Sequence, residues 1–128
     1  MTSRKRGSYA IEFALVLAVI GAIVEYGAFF NQQIDMVGVV RDTIRSGATQ
    51  HQTWTPGPVA RAQEVAYAGL VEQGWDPQTA VIDVQLRGAA PDQVMAVSIT
   101  VPYRPFFGRI PVPKTVSGGA VMRMQDQP

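Results

Sequence analysis

The chain of 128 residues has no cysteine and one histidine. The first absence removes disulfides, thiolate metal sites and thiol redox chemistry together. The second leaves His51 alone in a polar, Trp-containing loop, where an isolated imidazole is ordinarily a surface residue and not a base. No Ser-x-x-Lys pair, Gly-rich phosphate cradle or carboxylate-rich metal loop occurs in the sequence. Asp76, Asp83 and Asp92 are scattered over turn and strand positions, where Asp serves turns or solvent. An enzyme is therefore not expected, and neither is a cofactor or a metal. An excess of one charge is missing as well. Eleven Lys and Arg face ten Asp and Glu, and with Arg4, Lys5 and Arg6 set aside ahead of Gly7 the remainder is eight against ten. A body so close to neutral has no electrostatic footprint for nucleic acid.

The chain also lacks an uninterrupted apolar run of spanning length. Phe13 to Val24, FALVLAVIGAIV, carries no charge, but as a helix it measures about 18 Å against a hydrocarbon core of about 30 Å. Widening the window to Tyr9 through Phe30 gives about 33 Å, at the expense of taking in Glu12 and Glu25. Tyr9, Tyr26, Phe29 and Phe30 then fall at the two interfaces, where Tyr in particular is favoured. Arg4, Lys5 and Arg6 hold the N-terminus in the cytoplasm by the positive-inside bias, so the body faces outward. A carboxylate at membrane depth costs about 2.5 to 3.5 kcal/mol even on the lenient insertion scale. Glu12 therefore calls for a use.

Three readings of the segment compete. A secretory signal requires a small-x-small cleavage site after the apolar run, and EYGAFFN is a poor fit. A plain single-span anchor explains the length and the basic flank but leaves Glu12 as an uncompensated cost. If a peptidase cuts after Gly7, the new N-terminus at Ser8 carries an ammonium group, with Glu12 as a charge partner within one chain or between neighbours.

Basic residues, Gly7, four residues, Glu12, Phe13 and a long apolar helix resemble the class III signal of type IV pilins and pseudopilins. That resemblance implies cutting after Gly7 by a prepilin peptidase on the cytoplasmic side. The fuller stretch GSYAIEFALVLAVIGAIVEYGAFF is similar to TadE-like proteins, minor pilin or pseudopilin components of the tight-adherence (Flp) pilus. There the anchor opens on an EFAL element, matched by Glu12 to Leu15, and closes on Glu, an aromatic and Gly, matched by Glu25, Tyr26 and Gly27. VSITVPYRPF and SGGAVMRMQ resemble the closing strands of that family. The resemblance implies a membrane-held assembly subunit, processed at Gly7 and Ser8, with Glu12 and Phe13 acting in charge pairing and packing. Its implied partners are the prepilin peptidase, other TadE-like or TadF-like minor pilins, the major Flp pilin and membrane lipid. Ala18 stands where many members carry Pro, so the helix should keep its hydrogen bonds and run straighter. Gly21 and Gly27 do not form a GxxxG dimer motif and are read as ordinary tolerance of Gly in membrane helices. The alternative is an ordinary single-span protein whose outer domain binds a ligand or partner.

Beyond the membrane the helix is expected to continue. Ile34, Val37, Ile44 and Ala48 recur at helical spacing, Asp35, Arg41, Asp42 and Arg45 form a wet face, and Gly47 or the polar SGATQ run ends it. The stem then runs from about Ser8 to about Ser46, roughly 58 Å. Pro56, Gly57 and Pro58 break the helix. A second begins at Pro58, buries Ala62, Val65, Ala66 and Leu70, stops at Gly74, and lets the stem approach at Gly69. Three period-2 runs follow: Ile82, Val84 and Leu86; then Met95, Val97, Ile99 and Val101; then Val116, Ala120, Met122 and Met124. A meander of three antiparallel strands covered by the two helices is the economical topology. The expected layout is α+β and pilin-like: a leader over 1–7, a transmembrane helix over 8–30 and an extracytoplasmic domain over 31–128. Phe106 and Phe107 form an aromatic tip, read either as a partner-docking loop or as a pair buried against the sheet.

Overall fold

The computed structural model describes residues 2–125. One helix, α1 (Thr2–Ala48), runs for 47 residues, and a second, α2 (Pro58–Glu72), follows the Pro-Gly-Pro break. Three strands, β1 (Val81–Arg87), β2 (Val94–Pro102) and β3 (Thr115–Arg123), form an antiparallel meander in the order β1-β2-β3. The α+β layout read from the sequence is the observed one. Both helices lie on one face of the sheet, α1 against β2 and β3, and α2 beside α1 and β1.

The period-2 reading holds strand by strand. Val84 pairs with Val97 and Val97 with Ala120, so the inward residues of all three strands share one face. Met95, Val97, Ile99, Val101, Val116 and Met124 are buried there. The alternate positions Asp83, Gln85, Arg87, Ser98 and Val121 face solvent. A single covered face of this kind is what an antiparallel sheet permits.

Helix α2 starts as its sequence dictates, with Gly57 at the N-cap and Pro58 in the first turn. It buries Ala62, Ala66 and Leu70, while Val65 is only partly buried. Its end is a Schellman motif: the Trp75 N–H donates to the Leu70 carbonyl at 2.9 Å and the Gly74 N–H to that of Val71 at 3.0 Å. Gly74 sits at φ +86°, the left-handed conformation that closes the motif. Trp75 and Leu70 then enter the core together. Asp76 caps the short 3-10 turn Pro77–Thr79 by accepting from the Gln78 N–H at 3.0 Å.

Helix α1 departs from expectation in two ways. It begins at Thr2, inside the basic leader, instead of near Ser8. Its buried stripe is Met36, Val39, Val40, Thr43, Ile44 and Ala48, whereas Ile34 and Val37 point outward, 67% and 45% exposed. The stripe is broad because α1 serves two partners, the sheet and α2, which are set around its axis from one another. The helix ends within the SGATQ run, as expected, and Gly47 lies buried in its last turn. A Cβ at Gly47 would stand 2.8 Å from the Ala62 Cβ and 2.5 Å from the Met95 sulfur. Gly69 makes the reciprocal approach from α2, where a Cβ would meet Val39 Cγ1 at 3.1 Å. The helix stops one residue later. The Thr49 hydroxyl donates to the Arg45 carbonyl at 2.8 Å, and the Gln125 N–H, arriving from beyond β3, donates to that of Ala48 at 3.0 Å. Carbonyls left open by the helix end are thereby satisfied.

Two glycines of α1 therefore behave oppositely on replacement. Gly47→Ala is expected to lower stability, because overpacking costs about 1–3 kcal/mol while the helix-propensity gain is only about 1 kcal/mol. Gly38→Ala meets nothing within 4 Å and is expected to raise stability by up to about 1 kcal/mol. Urea midpoints of the detergent-solubilised chain separate the two, and equal midpoints would refute the close approach.

Candidate functional site

The membrane-length part of α1 is bare. Ile11, Phe13, Leu15, Val16, Leu17, Val19, Ile20 and Ile23 are all more than half exposed. Among the described residues this is the one helix long and apolar enough to cross a membrane. Gly7 and Ser8 are helical and exposed near its start, with Lys5 and Arg6 beside them; the side chain of Arg4 lies outside the described residues. A Cβ at Gly7 would meet nothing within 4 Å, so nothing in this fold requires glycine there. Glu12 is exposed, one turn beyond Ser8 on the same side of the helix, and Phe13 next to it is 66% exposed.

The second acid of the helix has the opposite surroundings. Glu25 is completely buried, under the loop 103–114 that joins β2 to β3. That loop is closed at its base by the Tyr103 N–H donating to the Lys114 carbonyl at 2.9 Å. At its tip the backbone N–H of Phe107 donates to Glu25 Oε2 at 2.8 Å, and that of Phe106 to Oε2 and Oε1 at 3.1 and 3.2 Å. The Tyr103 hydroxyl lies 3.1 Å from both Oε1 and the Glu25 main-chain carbonyl, its proton shared between them. Two successive N–H groups turned toward one carboxylate make an anion-binding nest. Pro105 ahead of the pair and Gly108 behind it, at φ +75°, give the chain the bend that presents them.

The clasp extends up the helix at two-turn spacing. Gln32 forms a closed pair with the Arg104 backbone: its amide donates to the Arg104 carbonyl at 2.8 Å and its Oε1 accepts from the Arg104 N–H at 3.0 Å. The amide of Gln33 donates to the Ser117 carbonyl. Tyr26 donates its hydroxyl to the Pro111 carbonyl at 2.6 Å, and Phe29 stands edge-on to Tyr103 with ring centres 5.5 Å apart. Glu25 and Gln32 thus share a face with Met36 and Val40, and that face continues the core stripe toward the bare apolar half of α1.

Phe106 and Phe107 are not buried against the sheet. They are 65% and 52% exposed, packed edge to face at 4.8 Å, at the end of the loop facing the bare helix. A Cβ at Gly21 would meet Ile110 at 3.6 Å and Phe107 at 3.9 Å, so the tip reaches one turn past Glu25 along α1. Gly21 permits that contact without being demanded by it. Arg104 points elsewhere: it stacks over Trp75 at 4.8 Å and donates to the Gly74 and Gln73 carbonyls at 3.2 and 3.3 Å. His51 packs against Trp54 in the exposed loop after α1, with ring centres 4.3 Å apart.

The sequence reading placed the functional weight on Glu12 and treated Glu25 as the edge of the span. It missed Glu25, Gln32 and Tyr103 as one constellation. Glu25-Tyr26 and Gln32-Gln33 repeat two turns apart on the helix, but Glu25 and Gln32 lie away from the Ile34 and Val37 side expected to face the core, so the sequence did not mark them as inward. Comparison of the chain with protein families, curated proteins and solved structures finds no match to any of the three.

Removing the carboxylate strands the loop's donors. Each buried N–H left unpaired costs about 1–3 kcal/mol, so Glu25→Leu should raise amide exchange at Phe106 and Phe107 by about 10- to 100-fold or more, while exchange in β1 changes little. Protection at the tip that survives the substitution would refute the clasp. Burial first, then the hydrogen bond to Glu25 and its charge, holds the Tyr103 hydroxyl above its ordinary value of 10.0. The folded chain then binds this proton more tightly than the unfolded chain does. The contribution is whole below the unfolded value and is lost as pH rises through the raised folded one. Stability should fall as pH climbs from the ordinary value through the raised one, and Tyr103→Phe should flatten the slope while removing about 1 kcal/mol at neutral pH. Alkaline denaturation followed by circular dichroism measures both.

Proposed function

We propose that the chain is a membrane-held minor pilin or pseudopilin of the TadE-like kind, required for assembly of a tight-adherence pilus and so for adhesion. A prepilin peptidase cuts after Gly7 on the cytoplasmic side, and the apolar half of α1 then packs against neighbouring subunits, other TadE-like or TadF-like minor pilins and the major Flp pilin. Glu12 sets the register of that packing by pairing with the amine freed on Ser8. The domain from residue 31 onward stands outside the inner membrane.

The observation that carries this reading is the contrast between the two acids of α1. Glu25 is saturated by its own domain, whereas Glu12 stands exposed on the bare apolar segment, one turn from Ser8. An acid kept at that depth without a partner among the described residues is economical only if a cation is supplied later. The clasp also moves the outer edge of the span from Phe30 to about Val24, because irregular backbone is not tolerated in lipid-exposed hydrocarbon. Ser8 to Val24 is about 26 Å, at the short end of the spanning range. Continuity of α1 through the leader from Thr2 favours a second reading, an uncut single-span anchor with a partner-binding outer domain.

Mass spectrometry of membrane-extracted protein from cells that contain a prepilin peptidase decides between them. The pilin reading expects a chain that begins at Ser8, with Gly7→Val retaining the leader and leaving the fold unchanged. It further expects Glu12→Leu to insert normally yet assemble no fibre. A product that keeps residues 1–7, or wild-type fibres from Glu12→Leu, would favour the uncut anchor.

A further inference from the structure

The loop that clasps Glu25 has a composition unlike the rest of the body. From Tyr103 to Lys114, YRPFFGRIPVPK, it carries Arg104, Arg109 and Lys114 and no acid, although the chain beyond Gly7 has more acidic than basic residues. Four of its apolar side chains, Phe106, Phe107, Ile110 and Val112, stand at its lower end or partly buried along it, and Phe106 and Phe107 are mostly exposed. Pro105, Pro111 and Pro113 keep it out of strand pairing.

Its position gives this composition a meaning. The backbone of the tip is fixed at the level of Glu25, and the Phe107 ring and Ile110 reach to Gly21. Four residues of helix is about 6 Å, within the depth of about 5–10 Å at which apolar groups seat in the headgroup and acyl boundary. The helix surface flanking the tip is itself apolar and exposed, through Ile20, Ile23 and Val24. Tyr26 sits at the same level, half-exposed and tied to the loop at Pro111.

We propose that the Phe106–Phe107 tip is a second membrane contact: its rings insert into the outer leaflet beside α1, and Arg109 and Lys114 face lipid phosphates. The occupant of this apolar patch is the bilayer that α1 crosses, because the patch is continuous with the lipid-facing surface of the helix and its cations suit an anionic headgroup layer. The inference rests on the membrane-anchor reading of α1. It adds that the outer domain is not held above the bilayer but seated on it, with its orientation fixed by helix and loop together.

The absence of native cysteine makes the test direct. Single cysteines at Phe106, Phe107, Val121 on the open sheet face and Val16 within the span are labelled with an environment-sensitive fluorophore, and the full chain is reconstituted in vesicles of equal parts phosphatidylcholine and phosphatidylglycerol. The clasp uses backbone N–H groups at 106 and 107, so replacing either ring leaves it in place. The expected result is strong quenching of the 106 and 107 labels by shallow nitroxide lipids and several-fold lower quenching by aqueous iodide than at 121. A label at 16 quenched by deep nitroxide lipid, together with water-exposed labels at 106 and 107, would overturn the loop contact while leaving the anchor intact. Labels at 106 and 107 shielded from both quenchers would also overturn it, in favour of a second protein copy over the tip. An unquenched label at 16 would remove the anchor reading and this inference with it.

Discussion

The carboxylate of Glu25 is the fixed point of the molecule. It accepts hydrogen bonds from Phe106 and Phe107 N–H and from the Tyr103 hydroxyl, and no part of it reaches solvent. A buried anion is tolerated only where its lone pairs are used, and here the partners come from a segment about eighty positions away in the chain. Without it, the loop between β2 and β3 would have two adjacent donors facing an apolar helix. With it, loop and helix are one object, and Gln32, Gln33, Tyr26 and Phe29 follow from the same registration.

That registration divides α1. Above Glu25 the helix belongs to the domain, with its inner arc spent on the sheet and α2 through close contacts at Gly47 and Gly69. Below it the large apolar side chains from Ile11 to Ile23 are more than half exposed, and the loop reaches the helix at Gly21. The same residue type thus meets two fates within four turns: Glu25 is consumed by the fold, and Glu12 is left outside it.

The periodic parts of the fold were legible. Alternation named the inward residues of all three strands, and Pro58, Ala62, Ala66, Leu70 and Gly74 described α2 almost residue by residue. The stem was read less well because apolarity was used as the only mark of an inner face. Ile34 and Val37 are apolar and exposed, while Gln32 and Thr43 are polar and buried. Gln32 leaves no local pattern because its partner, the Arg104 backbone, is set by topology, and the buried Thr43 hydroxyl has no hydrogen-bond partner among the described residues. The stem's end was legible in the polar SGATQ run, where the helix stops at Ala48, but the close packing at Gly47 was not. The exposed placement of Phe106 and Phe107 follows from Glu25, which no local feature of RPFFGR announces.

A helix of 47 residues is about 70 Å long, and the domain grips its upper portion without an intervening hinge. The molecule is therefore a nail whose head is welded to its shank. Drawing the shank upward or turning it about its axis must carry the head through the same displacement, because no slack segment exists between them to absorb it.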